Sequence, residues 1–208
     1  MKEYDIYLFD FDGTLVNSYP SLIGVYQEGF AAVGQSVSAE QAAEYMHEAL
    51  VDTCAHRGLN HADTLKVLAA TDKAIDKPEH LKKILIYEDS VPTIKELAKR
   101  GKKIAVVSGN SPEHIRIVLK MMGIEECFYD VIGASLERRP KPFADPILAA
   151  IKDYPNVSKN KIVYIGDSLQ DPVTAKNAEV EGILLERQKE YPTYSETKIT
   201  SLKELLDY

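Results

Sequence analysis

The sequence predicts an α/β protein: a doubly wound parallel sheet with an all-helical segment inserted after its first strand. Three observations carry this. Short apolar runs alternate with helical patterns through the second half of the chain. Those runs are nearly continuous in apolar residues, as strands buried on both faces of a parallel sheet must be. Between the first run and the second lie about 70 residues that read as four or five helices with no convincing strand, enough for a subdomain of their own.

Residues 4–9 read as the first strand, and residues 103–107, 129–132, 161–165 and 182–185 as the later ones. A helix over 91–100 stops at Gly101, and one over 111–122 opens on Ser111-Pro112 and stops at Gly123. Both use ordinary start and stop chemistry: a hydroxyl cap with proline in the first turn, and glycine just past the end. A short last helix over 201–206 carries Leu202, Leu205 and Leu206 for packing, and the polar residues 187–198 read as a surface loop. Within the insertion, Leu22, Val25, Tyr26, Phe30 and Val33 recur at helical spacing, and Ser38 with Gln41 forms a capping box. The expected division is a core of residues 1–16 and 88–208 and a helical insertion of 17–87.

The 208 residues carry 32 acids and 25 Lys plus Arg, a formal net charge of -7. That balance argues against a dedicated nucleic-acid binder, whose basic face must neutralise phosphates. Cys54 and Cys127 form no CxxC pair and read as thiols of a reducing compartment. No signal-peptide pattern opens the chain, and no stretch approaches the ~18 apolar residues of a membrane span. A soluble cytoplasmic protein, monomer or homodimer, is the expectation.

In open α/β sheets ligands bind at the carboxyl ends of the strands. Past the first strand stands Asp10-Phe11-Asp12-Gly13-Thr14, past the second Ser108-Gly109-Asn110, and past the fourth Gly166-Asp167-Ser168-Leu169-Gln170-Asp171. Ahead of the fourth strand, Lys141 lies between Pro140 and Pro142. Four carboxylates, a hydroxyl and a lysine from distant segments thus converge on one sheet edge. Each motif also has a plainer reading. Asp10 and Asp12-Gly13 suit a turn, 108–110 an ordinary strand-to-helix connection, and Asp171, directly before Pro172, a helix N-cap.

The four motifs in this order resemble the haloacid dehalogenase-like phosphatase superfamily. The helical insertion looks like the type 1 cap of the subfamily that includes phosphoglycolate phosphatase and β-phosphoglucomutase. The resemblance covers nearly the whole chain and implies a Rossmann-like core. It also implies that Asp10 is a nucleophile forming an aspartyl-phosphate, and that Asp12 is the general acid and base. Ser108, Gly109, Asn110 and Lys141 would hold the phosphoryl oxygens. Asp10, Asp167 and the Asp12 carbonyl would ligate Mg²⁺, with Asp171 supporting them. Asp12 favours phosphatase over dehalogenase chemistry, and the partner would be a small phosphorylated metabolite.

Alternatives are a phosphomutase using the same intermediate and a receiver-like phospho-acceptor, the second disfavoured by the paired acids and the large insertion. Tyr19, His56, Arg57 and His61 are the candidate contacts in the insertion, with Arg57 foremost for an acidic leaving group. Arg138 and Arg139 read as surface. Two departures stand out: many relatives have Asp where this chain has Asn17, and Ala-Gly where it has Ala178-Glu179.

Overall fold

The computed structural model describes residues 3–46, 50–187 and 190–207. The first two residues, the stretch 47–49 of the helical insertion, and residues 188–189 of the expected surface loop lie outside the described residues. The chain divides into two compact units, one of Met1–Val16 with Ile86–Tyr208 and one of Asn17–Leu85.

The larger unit is built on a six-stranded sheet. In chain order its strands are β1 (Ile6–Phe9), β4 (Lys103–Val107), β5 (Asp130–Ile132), β6 (Ile162–Gly166), β7 (Glu181–Leu185) and β8 (Lys198–Ile199). The spatial order is β5-β4-β1-β6-β7-β8 and every pairing is parallel. Strands β1 and β6 are buried at every position, which is why their sequences do not alternate. On one face Ile6, Leu8, Ala105, Val107, Ile162 and Tyr164 share a core with the helix α8 (Asp145–Ile151). The register sets Phe9 beside Val106 on one side and Ile165 on the other, so these three strands end level. Their next residues therefore emerge side by side.

The remaining helices of this unit are α6 (Ser90–Lys99), α7 (Pro112–Met122) and α9 (Gln170–Asn177). The Ser111 side chain accepts the His114 N–H at 3.2 Å, and Gly123 closes α7 at φ 65°, the predicted caps at both ends. Three expectations need correction. The last helix is a 3-10 helix, Leu202–Leu206, too short in apolar residues to sustain more than its capped turns. The expected surface loop ends in β8, which adds to the sheet edge beside β7. The insertion, read as strand-free, is flanked by the two-residue strands β2 (Val16–Asn17) and β3 (Leu85–Ile86), which pair with each other. Two residues are too few to show a period.

The smaller unit holds α1 (Tyr19–Ala31), α2 (Ala39–Tyr45), α3 (Leu50–His56), α4 (His61–Ile75) and α5 (Pro78–Leu81). Its core gathers Phe30, Val37, Ala42, Cys54 and Val67, and the Ser38–Gln41 capping box opens α2 as predicted. Buried His80 ties α5 to α1 through Glu28, Nε2 to Oε1 at 2.7 Å. Arg57 is spent inside this unit. Its guanidinium lies 5.1 Å from the Phe30 ring centre, and it donates to Gln35 at 2.7 Å and to the Tyr45 hydroxyl. It packs the unit's own core. His56 and His61 are exposed and Tyr19 is half-buried.

Candidate active site

Level strand ends bring the first and fourth motifs together. The Asp10 amide donates to Ile165 O at 2.8 Å and the Ser108 amide to Ile132 O at 2.9 Å, so both residues are the last to be held by the sheet. Asp10 is buried, and carboxylate oxygens of Asp10, Asp167 and Asp171 lie within 4.8 Å of one another. Lys141 Nζ reaches into this group, 3.0 Å from Asp10 Oδ1 and 2.8 Å from Asp171 Oδ1. The carboxylate of Asp12 is not among the three. One of its oxygens, Oδ2, accepts from Asn110 Nδ2 at 3.2 Å, and the other, Oδ1, is buried with no partner among the described residues.

Electrostatics follow from the count of charges. Three carboxylates, those of buried Asp10 and Asp171 and of half-buried Asp167, crowd around one lysine, an excess of negative charge when all are ionised, in a region of low dielectric. Burial pushes the Asp10 carboxyl up to about 8, with Lys141 opposing the rise and Asp171 and Asp167 adding to it. Burial and the Asp171 charge push Asp167 up to about 6. Burial also works against the Lys141 charge, but Asp10, Tyr164 and Asp171 outweigh it and hold the ammonium above the usual lysine range. A divalent cation is the group that relieves such a cluster. An all-oxygen donor set of this kind fits a hard ion such as Mg²⁺.

The loops are shaped around these side chains. Gly13 has φ 79°, and a Cβ there would fall 2.2 Å from Asp167 Oδ2. A Cβ at Gly166 would fall 2.2 Å from Asp171 Cγ. Thr14 Oγ1 donates to Asp167 Oδ1 at 3.1 Å, fixing that carboxylate from the first motif. Asp171, read as either N-cap or support, is not the cap of α9: that place belongs to Leu169. Asp171 lies in the first turn, fully buried, and accepts from Lys141 and, on its other oxygen, from Ser168 N and Oγ at 3.0 and 2.8 Å.

Ser108 is buried and Gly109 exposed, and the Ser108 hydroxyl accepts the Asn110 amide at 3.2 Å. Ser108, Arg138, Lys141 and Gln170 line a cavity of about 230 Å³. Arg138, read as surface, is half-buried and donates to Gly133 O at 3.1 Å. Arg139 is surface as read, paired with Asp145.

Sequence reasoning missed three contributors, and the side-chain role of a fourth residue, Asn110, that it did name. Tyr164, in the middle of β6, carries its buried hydroxyl to Lys141 (3.2 Å), Val107 O (2.9 Å) and Asp171 (3.1 Å). A tyrosine among apolar residues in a strand buried on both faces is a readable signal, since such a hydroxyl needs partners. Asn110 acts through its side chain on Asp12, which no spacing indicates. Arg187 and Tyr191, from the expected surface loop, donate to Thr14 O at 3.0 Å and Asp167 O at 3.1 Å. Their loop has no pattern to read.

The departures also have local roles. Asn17 Oδ1 accepts the Tyr19 amide at 3.2 Å at the start of α1. Glu179 takes φ 61° and ion-pairs with Lys159 at 2.7 Å.

Comparison with known proteins agrees with this architecture. The chain is 28% identical over 192 residues to a phosphoglycolate phosphatase of Vibrio parahaemolyticus, covering 86% of this chain and 82% of the relative. It is 28% identical over 174 residues to the pyrophosphatase PpaX of Listeria monocytogenes, covering 83% and 78%. A haloacid dehalogenase-like family hydrolase of Streptococcus pneumoniae shares its fold at a TM-score of 0.81, with 18% identity, over 99% of this chain and 98% of the other. The sequence profile of the haloacid dehalogenase-like hydrolases matches residues 7–185, and the chain belongs to that family.

Proposed function

We propose that the protein is a Mg²⁺-dependent phosphatase acting on a small-molecule phosphate monoester through a phosphorylated Asp10. The single observation that carries this reading is the convergence of Asp10, Lys141, Asp167 and Asp171 from three strand-end segments, with Asp12 beside them offering an oxygen that no group among the described residues uses. The relatives named for phosphoglycolate and pyrophosphate hydrolysis support a small anionic substrate.

Phosphate esters hydrolyse so slowly unaided that a nucleophile and charge compensation are both needed. Asp10 attacks phosphorus, forming its acyl phosphate as the bond to the leaving oxygen breaks, and Asp12 gives that oxygen a proton. Asp12 then takes a proton from the water that attacks the same phosphorus, and the bond to Asp10 breaks to release phosphate. Asn110 fixes the Asp12 carboxylate for both transfers. Lys141, Ser108 and the amides of 109–110 donate to the phosphoryl oxygens. Asp10, Asp167 and the Asp12 carbonyl would hold Mg²⁺, and the ion would supply charge compensation for the transferring group. The helical unit Asn17–Leu85 is the proposed cap.

The test is phosphate release from phosphoglycolate, sugar phosphates, nucleotides and pyrophosphate, with Mg²⁺ and with EDTA. Release of phosphate from at least one monoester, abolished by EDTA, is expected. Silence across the panel, or turnover that EDTA leaves intact, overturns the reading.

A further inference from the structure

Arg187 joins three segments that are distant in sequence. Its side chain is 8% exposed. Nη1 and Nη2 donate to the two oxygens of Asp89 at 3.2 and 2.7 Å, and Nε donates to Thr14 O at 3.0 Å. The guanidinium also lies 4.0 Å from the centre of the Tyr87 ring. Asp89 is fixed in turn by Ser201 Oγ at 2.7 Å and Leu202 N at 2.9 Å. A guanidinium paired at both ends and stacked on one face has one orientation open to it.

That orientation bears on the candidate cation site. The carbonyl that Arg187 holds belongs to Thr14, whose hydroxyl donates to Asp167 Oδ1. The residue before it, Gly13, packs directly on the Asp167 carboxylate. Tyr191, a little further along the same segment, donates to the Asp167 carbonyl. Asp167 is therefore gripped at its carboxylate through Thr14 and at its backbone through Tyr191.

We infer that Arg187 is a positioning residue for the cation site: it locks Thr14 so that Asp167 is presented to Asp10 already oriented. The inference rests on the proposed reading of Asp10 and Asp167 as the cation ligands. Groups that orient metal ligands in this way typically change metal affinity by about 10- to 100-fold when removed.

The experiment is calorimetric titration of the full chain with MgCl₂, alongside thermal melting, for the wild type, Arg187→Ala, Arg187→Lys and Ser201→Ala. Lysine keeps a cation near Asp89 but cannot bond both Asp89 oxygens and the Thr14 carbonyl together. Both Arg187 variants are expected to bind Mg²⁺ at least about tenfold more weakly. Ser201→Ala removes one support of Asp89 and is expected to lower the melting temperature while binding Mg²⁺ as the wild type does. If Arg187→Ala does not fold, Arg187→Lys carries the comparison. Wild-type Mg²⁺ affinity in Arg187→Lys, or an equal loss in Ser201→Ala, overturns the inference while leaving the cation site standing. Failure of the wild type to bind Mg²⁺ overturns the cation site and this inference together.

Discussion

Asp171 Oδ1 holds Lys141 Nζ at 2.8 Å, and the carboxylate is fully buried. Two of the three ammonium protons are thereby directed, one to Asp171 and one to the Tyr164 hydroxyl at 3.2 Å, leaving the third for Asp10 at 3.0 Å. The lysine is aimed by its surroundings, not by its own flexible stem.

This predicts different outcomes for the two partners. Lys141→Met removes the positive charge facing the phosphoryl group and should lower kcat by about 10²-fold or more. It also leaves Asp10 and Asp171 buried without a counter-charge, a change that typically costs about 3–5 kcal/mol. Asp171→Asn keeps the shape and the lysine, and should lower kcat by about 10–100-fold. Steady-state kinetics with urea unfolding separates the two, and full activity in either variant contradicts the aiming role.

Gly13 and Gly34 form a matched pair. Both have positive φ, 79° and 73°, but a Cβ at Gly34 meets nothing within 4 Å among the described residues. Gly34→Ala should therefore show only the left-handed backbone penalty, about 1–2 kcal/mol, with activity retained. Gly13→Ala adds a collision with Asp167 and should abolish both Mg²⁺ binding and turnover. Equal behaviour of the two variants in Mg²⁺ titration would count against the close packing of Gly13 on Asp167.

Asp89 supplies a pH dependence. Burial raises its carboxyl pKa, but the Arg187, Ser201 and Leu202 hydrogen bonds outweigh that and hold it below the usual carboxylate range. A group with a depressed folded pKa stabilises the fold above its unfolded value, about 3.9, and that contribution is lost as pH falls through the folded value. Urea unfolding from pH 6 down to pH 2 should show the wild type losing its advantage over Asp89→Asn toward the acid end. A difference constant across the range contradicts the assignment.

Glu179 adopts φ 61°, a conformation that suits glycine. Its ion pair with Lys159 is exposed and contributes little. Glu179→Gly should stabilise the protein by about 1 kcal/mol and leave activity unchanged. A fall in melting temperature would show that the ion pair outweighs the backbone strain.

The parts of this molecule legible in its sequence are those governed by local rules. Strands buried on both faces announce themselves by unbroken apolar runs, so β1, β4 and β6 were readable to within two residues, and the motifs at their ends with them. Ser111 and Gly123 were readable because capping is decided within a few residues. What escaped depends on tertiary approach. Arg187 looks like any loop arginine until β7 delivers it to Thr14 and Asp89. Arg57 looks like a free cation until Phe30, Gln35 and Tyr45 enclose it. Glu179 hides its left-handed turn because a glutamate there gives no sign of it.

The central claim is that Asp10 carries the phosphoryl group between two half-reactions. Its most direct test is rapid acid quenching of turnover with Mg²⁺, followed by peptide mass spectrometry of the wild type and Asp10→Asn. One phosphoryl group is expected on the peptide containing Asp10 in the wild type, and neither phosphopeptide nor phosphate release in Asp10→Asn. Sustained turnover by Asp10→Asn, or a phosphoryl group on any other residue, would contradict it.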